Sequence, residues 1–430
     1  MGNLIRSINA FILPAAMPSA RIPHRWFFPA AAAWAALALP VSVFAMLGLI
    51  PGPRALANPL GHAHEMLVGF ALAVVAGYQL PQMTRERLTL MLGLWLAGRV
   101  LFIASAGELA ASIPDIAFAL ALVAHIVPRL FGAAKKLRNL ALPLVLSALC
   151  VAAVLFDVLL YLALAAPLQA VVLAFVLLLS ALMLFMGGRI LAPAVAGQFY
   201  RQGRNLEARV QPRIEATLLI LVGVAIVAAA VPAAGIVLRA ACAAAGVTAL
   251  VRLVRWRIWE CQGRPDLACL GIGYTWLAVG LVALGASEGG PLRTAAIHCV
   301  TVGALGTLTF NVMAGTVMLR ARLERAREPR LVWGTALISA AAVLRIGAAM
   351  NVTTPATAAK LPLAAATPAT VPLAAATPAT LPFAAAASTP APVMLVAAAL
   401  CWSVAFLILL WLIFDALRVV RQPHPPSADG

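Results

Sequence analysis

A chain of 430 residues that is 63% hydrophobic and only 10% charged is not an ordinary soluble domain, where about a quarter of the residues carry charge. Its mean hydropathy of +1.00, with apolar runs of about 20 residues from end to end, is the pattern of helices that cross a bilayer. The formal net charge of +17 does not point to nucleic acid, because the basic residues fall in short clusters between the apolar runs.

Twelve spans are predicted, at approximately 26–50, 62–80, 89–106, 114–133, 140–162, 168–192, 214–232, 235–253, 266–286, 293–318, 331–350 and 392–417. No signal peptide is expected ahead of the first, since proline breaks the apolar patch of residues 1–20 and Arg21 and Arg25 follow. Between spans seven and eight a turn is expected at "VAAAVPAAG", with a kink as the alternative.

Basic residues follow the even-numbered spans: Arg85 and Arg87, then Lys135, Lys136 and Arg138, then Arg201, Arg204, Arg209 and Arg213. The series continues with Arg255, Arg257 and Arg264, and then Arg320, Arg322, Arg325, Arg327 and Arg330. Loops after odd-numbered spans hold little beyond Arg54, Arg293 and Lys360. This asymmetry places the even loops and both termini in the cytoplasm. The expected organisation is a cytoplasmic segment over 1–25, eleven helices over 26–350, a periplasmic Ala/Pro/Thr-rich loop over 351–391, a twelfth helix over 392–417, and a cytoplasmic tail over 418–430. Within the loop, "LPLAAATPAT VPLAAATPAT LPFAAAASTP" repeats about every ten residues, and its prolines oppose a stable helix, so it reads as an expanded linker. Six scattered cysteines form no CxxC and no CxxCH, which argues against a thiol redox pair and against covalently attached haem.

Chemistry concentrates where two spans begin. Span two opens with "GHAHEMLVGF", carrying His62, His64 and Glu65, and span ten with "RTAAIHCVTVGALG", carrying His298. Both spans enter from the same side, and His298 lies about five residues, or roughly 7–8 Å, below the start of its span. Three of the six histidines therefore share one layer. The two spans also share H-x-x-x-V-G, with Gly69 and Gly303 at its end, and Gly303 with Gly306 gives span ten a small face for a close helix or a flat cofactor.

Imidazoles presented at similar depth by two parallel helices suit the two sides of one haem iron. Neutral imidazole ligates haem and copper, and its second nitrogen needs a partner. The pairing expected is His64 with His298 as axial ligands of a b-type haem. His62, Glu65 and Arg99 would then surround it or build an adjacent copper site. Glu65, three residues from His62 on the same helical face, is its candidate partner. His62 and His64 are about 200° apart on a regular helix and do not face one metal. The plain alternative is a set of polar residues at a helix end, resting among lipid headgroups.

Other ionisable residues inside spans need partners too. Arg99 in "LAGRV" is a candidate for an ion pair with Glu65 or for a haem propionate. In the cytoplasmic half, Arg129 and Arg189 are expected to reach toward the interface, and His125, with Arg189, marks a second candidate ligand site. Asp157 in "VLFDVLLY" is a candidate cation or proton site, or an interfacial residue.

The chain resembles the NnrS family of bacterial inner-membrane proteins. The resemblance runs through "RWFFPAAAAWAAL", "HAHEMLVGFALAVVAGY", "LWLAGRV", "RNLALPLVL", "MGGRILAP", "GYTWLAVGL" and "IHCVTVGALGTLTFNVM". It implies a twelve-span protein that holds haem and copper and supports resistance to nitric oxide and nitrosative stress during denitrification. His62, His64, Glu65, Arg99, Arg189 and His298 fall on matching motif positions. Similar proteins tend to carry histidine where this chain has Asp157. They also tend to carry an arginine and a GHTG-like element after span ten, where this chain reads "VMAGTVMLRARLER". The implied partners are the lipid bilayer and nitric oxide or a related small molecule. A competing class is a secondary transporter of a small solute or metal-related substrate, which predicts a polar site near the midplane rather than an outer histidine layer.

Overall fold

The computed structural model describes residues 21–134, 139–351 and 390–421. The loop with Lys135, Lys136 and Arg138, the repeat of 361–390 up to residue 389, Lys360, and the N- and C-terminal segments therefore lie outside the described residues. Among the described residues there is no strand, and twelve helices are long and apolar enough to cross a membrane. They are α1 (His24–Met46), α2 (Pro59–Gln79), α3 (Arg85–Ser105), α4 (Leu109–Ala133), α5 (Ala141–Tyr161) and α6 (Ala165–Arg201). The second half comprises α7 (Pro212–Ala229), α8 (Gly235–Trp256), α9 (Pro265–Ala286), α10 (Gly290–Arg320), α11 (Pro329–Asn351) and α12 (Pro390–Arg421).

One detail differs from the sequence expectation. The helix of span six runs 37 residues, about 55 Å, far beyond the roughly 30 Å hydrocarbon core. Pro193 lies inside it, because an interior proline removes one backbone bond that the flanking turns outlast. Between α7 and α8 the chain turns, in keeping with two separate spans: α7 stops at Ala229 and a short 3₁₀ turn, Pro232–Ala234, leads into α8.

Helices that follow one another pack together from α3 through α9, and the chain closes where α12 packs on both α11 and α1. The most enclosed apolar segments belong to α2, α10 and α9. Both α2 and α10 change winding at a histidine. In α2, regular turns end at His64, π-helical turns cover Glu65–Ala71, and regular turns resume at Leu72. In α10, regular turns end at His298, π-helical turns cover Cys299–Gly306, and regular turns resume at Thr307. The shared H-x-x-x-V-G is thus the sequence trace of a shared helical irregularity, a feature that often accompanies functional sites.

Candidate metal and cofactor sites

The histidine end of α2 is set by its cap. Asn58 accepts from the Gly61 backbone N–H at 2.8 Å, and Pro59 starts the first turn with its φ already helical. His62 and His64 follow within that turn and point to different neighbours.

His64 enters a fully buried polar cluster. Its Nδ1 meets Glu65 Oε1 at 3.1 Å, and its Nε2 lies 3.0 Å from Asp157 Oδ1 and 3.6 Å from Asp115 Oδ2. The ring stacks on Phe102, with centroids 3.8 Å apart, and Phe156 packs edge-on against it. Glu65 Oε2 accepts from Trp34 Nε1 and from Arg99 Nη1, each at 2.8 Å. Arg99 Nη2 donates to both carboxylate oxygens of Asp115 at 2.5 Å. Five helices, α1 to α5, each contribute a member. Glycines make the space: a Cβ at Gly98 would overlap the Asp115 carboxylate, and one at Gly69 would lie 2.5 Å from Arg99 Nη1. Within this cluster two buried atoms have no hydrogen-bond partner among the described residues, Arg99 Nε and Asp157 Oδ2.

His62 and His298 form a separate group with Arg345 of α11. Ser42 Oγ donates its one proton to the Leu56 carbonyl at 2.7 Å, so toward His62 Nδ1, 3.2 Å away, it acts as acceptor. His298 Nδ1 donates to the Thr294 carbonyl at 2.7 Å. In each neutral ring the proton is therefore on Nδ1 and the lone pair on Nε2, and neither Nε2 has a hydrogen-bond partner among the described residues. The two imidazoles lie within electrostatic reach of each other and of Arg345. Arg345 makes no ion pair or hydrogen bond among the described residues, although it sits well inside an apolar helix.

Several expectations change in this geometry. The partner of His62 is Ser42, not Glu65, because Arg99 and Trp34 hold the Glu65 carboxylate beside His64. Arg99 forms the ion pair with Glu65 that the sequence suggested, and Asp115 strengthens it. Asp157 is buried against His64 rather than interfacial. The small face of α10 is already filled: a Cβ at Gly303 would lie 2.6 Å from the Trp276 ring, and one at Gly306 would lie 2.5 Å from that of Trp402. His125 is tied to the Ala121 carbonyl of its own helix. Arg189 is exposed, bonded to Asn139 and lying over Phe185, and no hydrogen bond joins it to His125 among the described residues.

Sequence reasoning passed over Ser42, Asp115, Arg345 and Arg252. The last of these is buried and donates to the Leu184 carbonyl at 2.8 Å, with Trp256 beneath its guanidinium. An ionisable residue inside an apolar run was the available signal for Asp115, Arg252 and Arg345. Nothing in the local pattern marks Ser42.

Fold and site together define a multi-pass helical membrane protein with histidines held in its interior by committed Nδ1 hydrogen bonds or by buried carboxylates. The family profile described as NnrS protein matches residues 18–376, and the chain belongs to the NnrS family. No curated protein matches it.

Proposed function

We propose that this NnrS-family protein resides in the bacterial inner membrane, carries a b-type haem near the periplasmic face, and supports resistance to nitric oxide and nitrosative stress in denitrification. Family membership supports the physiological role. One observation carries the cofactor reading: His62 and His298 are the pair whose Nδ1 atoms are anchored while both Nε2 lone pairs stay available. That is the donor arrangement a haem iron takes from two imidazoles. Arg345, a cation with no carboxylate of its own among the described residues, suits a haem propionate. His64 fits an axial role less well, since both of its ring nitrogens already face carboxylates. The residues that would hold the haem are therefore His62 and His298, in place of the His64 with His298 pairing that the sequence suggests. Bound haem would supply an iron centre for electron exchange and for nitric oxide. The chain's own part is to fix the imidazoles and hold Arg345 near them.

The test is the optical spectrum of the purified full-length protein. A Soret band is expected, lost or shifted in His62→Ala and in His298→Ala and retained in His64→Ala. A wild-type protein without haem, or a spectrum unchanged in both His62→Ala and His298→Ala, overturns the assignment. The physiological role is read separately, as impaired growth of a strain lacking the protein when a nitric oxide donor is added.

A further inference from the structure

The cluster around His64 is electrostatically incomplete. Three buried carboxylates, Glu65, Asp115 and Asp157, face a single guanidinium, Arg99, leaving two negative charges in excess when His64 is neutral. Even one uncompensated charge at such depth costs about 3 kcal/mol or more. Arg99 is directed at Glu65 and Asp115, so Asp157 has no cation of its own, and its Oδ2 is one of the unpartnered buried atoms.

Proton placement sharpens the problem. Trp34 and Arg99 both donate to Glu65 Oε2, which favours the carboxylate, and the Oε1 of that carboxylate accepts from His64 Nδ1. The Nε2 lone pair of a neutral His64 then points at carboxylate oxygens 3.0 and 3.6 Å away. Three acceptors meet there with nothing to share unless a positive charge lies among them. A single proton cancels one of the two excess charges; a divalent cation cancels both.

The spacing also fits an ion. One donor atom each from His64, Asp115 and Asp157 lie within 4.8 Å of one another. Metal–ligand bonds of about 2.0–2.2 Å in tetrahedral geometry hold donor atoms about 3.3–3.6 Å apart, close to the two His64 distances. The Glu65–His64 hydrogen bond is the outer carboxylate support that commonly orients a metal-bound imidazole. We propose that His64 Nε2, Asp115 and Asp157 bind a divalent first-row metal ion, with Glu65 as the positioning residue for the imidazole. One nitrogen and two carboxylates, without sulfur, suit divalent ions and not Cu(I). This centre uses none of the residues assigned to haem, so either reading can fail alone.

The experiment is equilibrium dialysis of zinc ion against chelator-stripped, full-length protein in detergent, read by elemental analysis. The wild type should retain about one zinc per chain. Asp157→Asn, which preserves shape, and His64→Gln should each lose it, with size-exclusion profiles unchanged in at least one. Glu65→Gln should weaken it by about 10–100-fold. His62→Ala should retain it. No zinc retained by the wild type, or Asp157→Asn and His64→Gln both binding as the wild type does, overturns the site and leaves protons to neutralise the cluster. Loss of zinc in His62→Ala overturns it as well, placing the metal elsewhere.

Discussion

Gly98→Ala is the smallest change that should break the buried cluster. Gly98 precedes Arg99 on α3, and a Cβ there would overlap Asp115, with the Asp115 Cγ only 2.7 Å away. The obstacle is a carboxylate fixed by Arg99 Nη2 at 2.5 Å through both oxygens, not the free end of a flexible chain. Asp115 must therefore retreat from Arg99. Separating a buried ion pair costs about 3–5 kcal/mol, and the helix preference of alanine over glycine returns at most about 1 kcal/mol. The net loss is about 2–4 kcal/mol. With an unfolding entropy of about 2.1 cal/mol/K per residue, a chain of this length should lose about 2–4 °C in apparent Tm. Gly93 supplies the control on the same helix, because a Cβ there meets nothing within 4 Å. Thermal unfolding of the detergent-solubilised proteins should show Gly93→Ala at or slightly above wild type and Gly98→Ala clearly below it. Equal Tm values for the two variants would refute the claim that Asp115 is immobile in the cluster.

Two further predictions concern the surface. Glu328 clamps Arg330 through 2.7 and 2.9 Å hydrogen bonds, and that guanidinium holds its carboxyl below the usual carboxylate range. A lowered carboxylate contributes stability above its unfolded value, so this contribution should fade as pH falls below about 4.5 and toward the depressed folded value. A Tm-versus-pH series should be flatter there for Glu328→Gln, and superimposable curves would exclude the clamp as a pH-dependent element. A reporter active only outside the cytoplasm should work when fused within 361–390 and be silent when fused after Arg322; the reverse would move the His62–His298 layer to the cytoplasmic side.

Twelve helices were legible because hydrophobicity over 20 residues is a local, additive property, and a bilayer reads it in that form. The separation of His62 from His64 was legible for a similar reason: two residues are about 200° apart on a helix, and the two side chains do serve different neighbours, Ser42 and Asp157. The extent of α6 was not, since Pro193 looks like a stop to any local rule and the helix runs through it.

The grouping of side chains belonged to the tertiary structure. Sequence separates Asp115, Asp157 and His64 by tens of residues, and depth estimates place them in a layer without saying which helix faces which. The π-helical turns after His64 and His298 widen the winding and shift the phase of everything beyond them, so a regular helical wheel misplaces the residues that follow. Glycine has the same double meaning: Gly303 reads as room for a cofactor, but the room is taken by Trp276, a residue 27 positions away whose packing no local pattern records. Composition and periodicity decide that the chain spans the membrane twelve times. That both nitrogens of His64 are engaged depends on a contact such as His64–Asp157, between helices distant in sequence, which exists only once the bundle has formed.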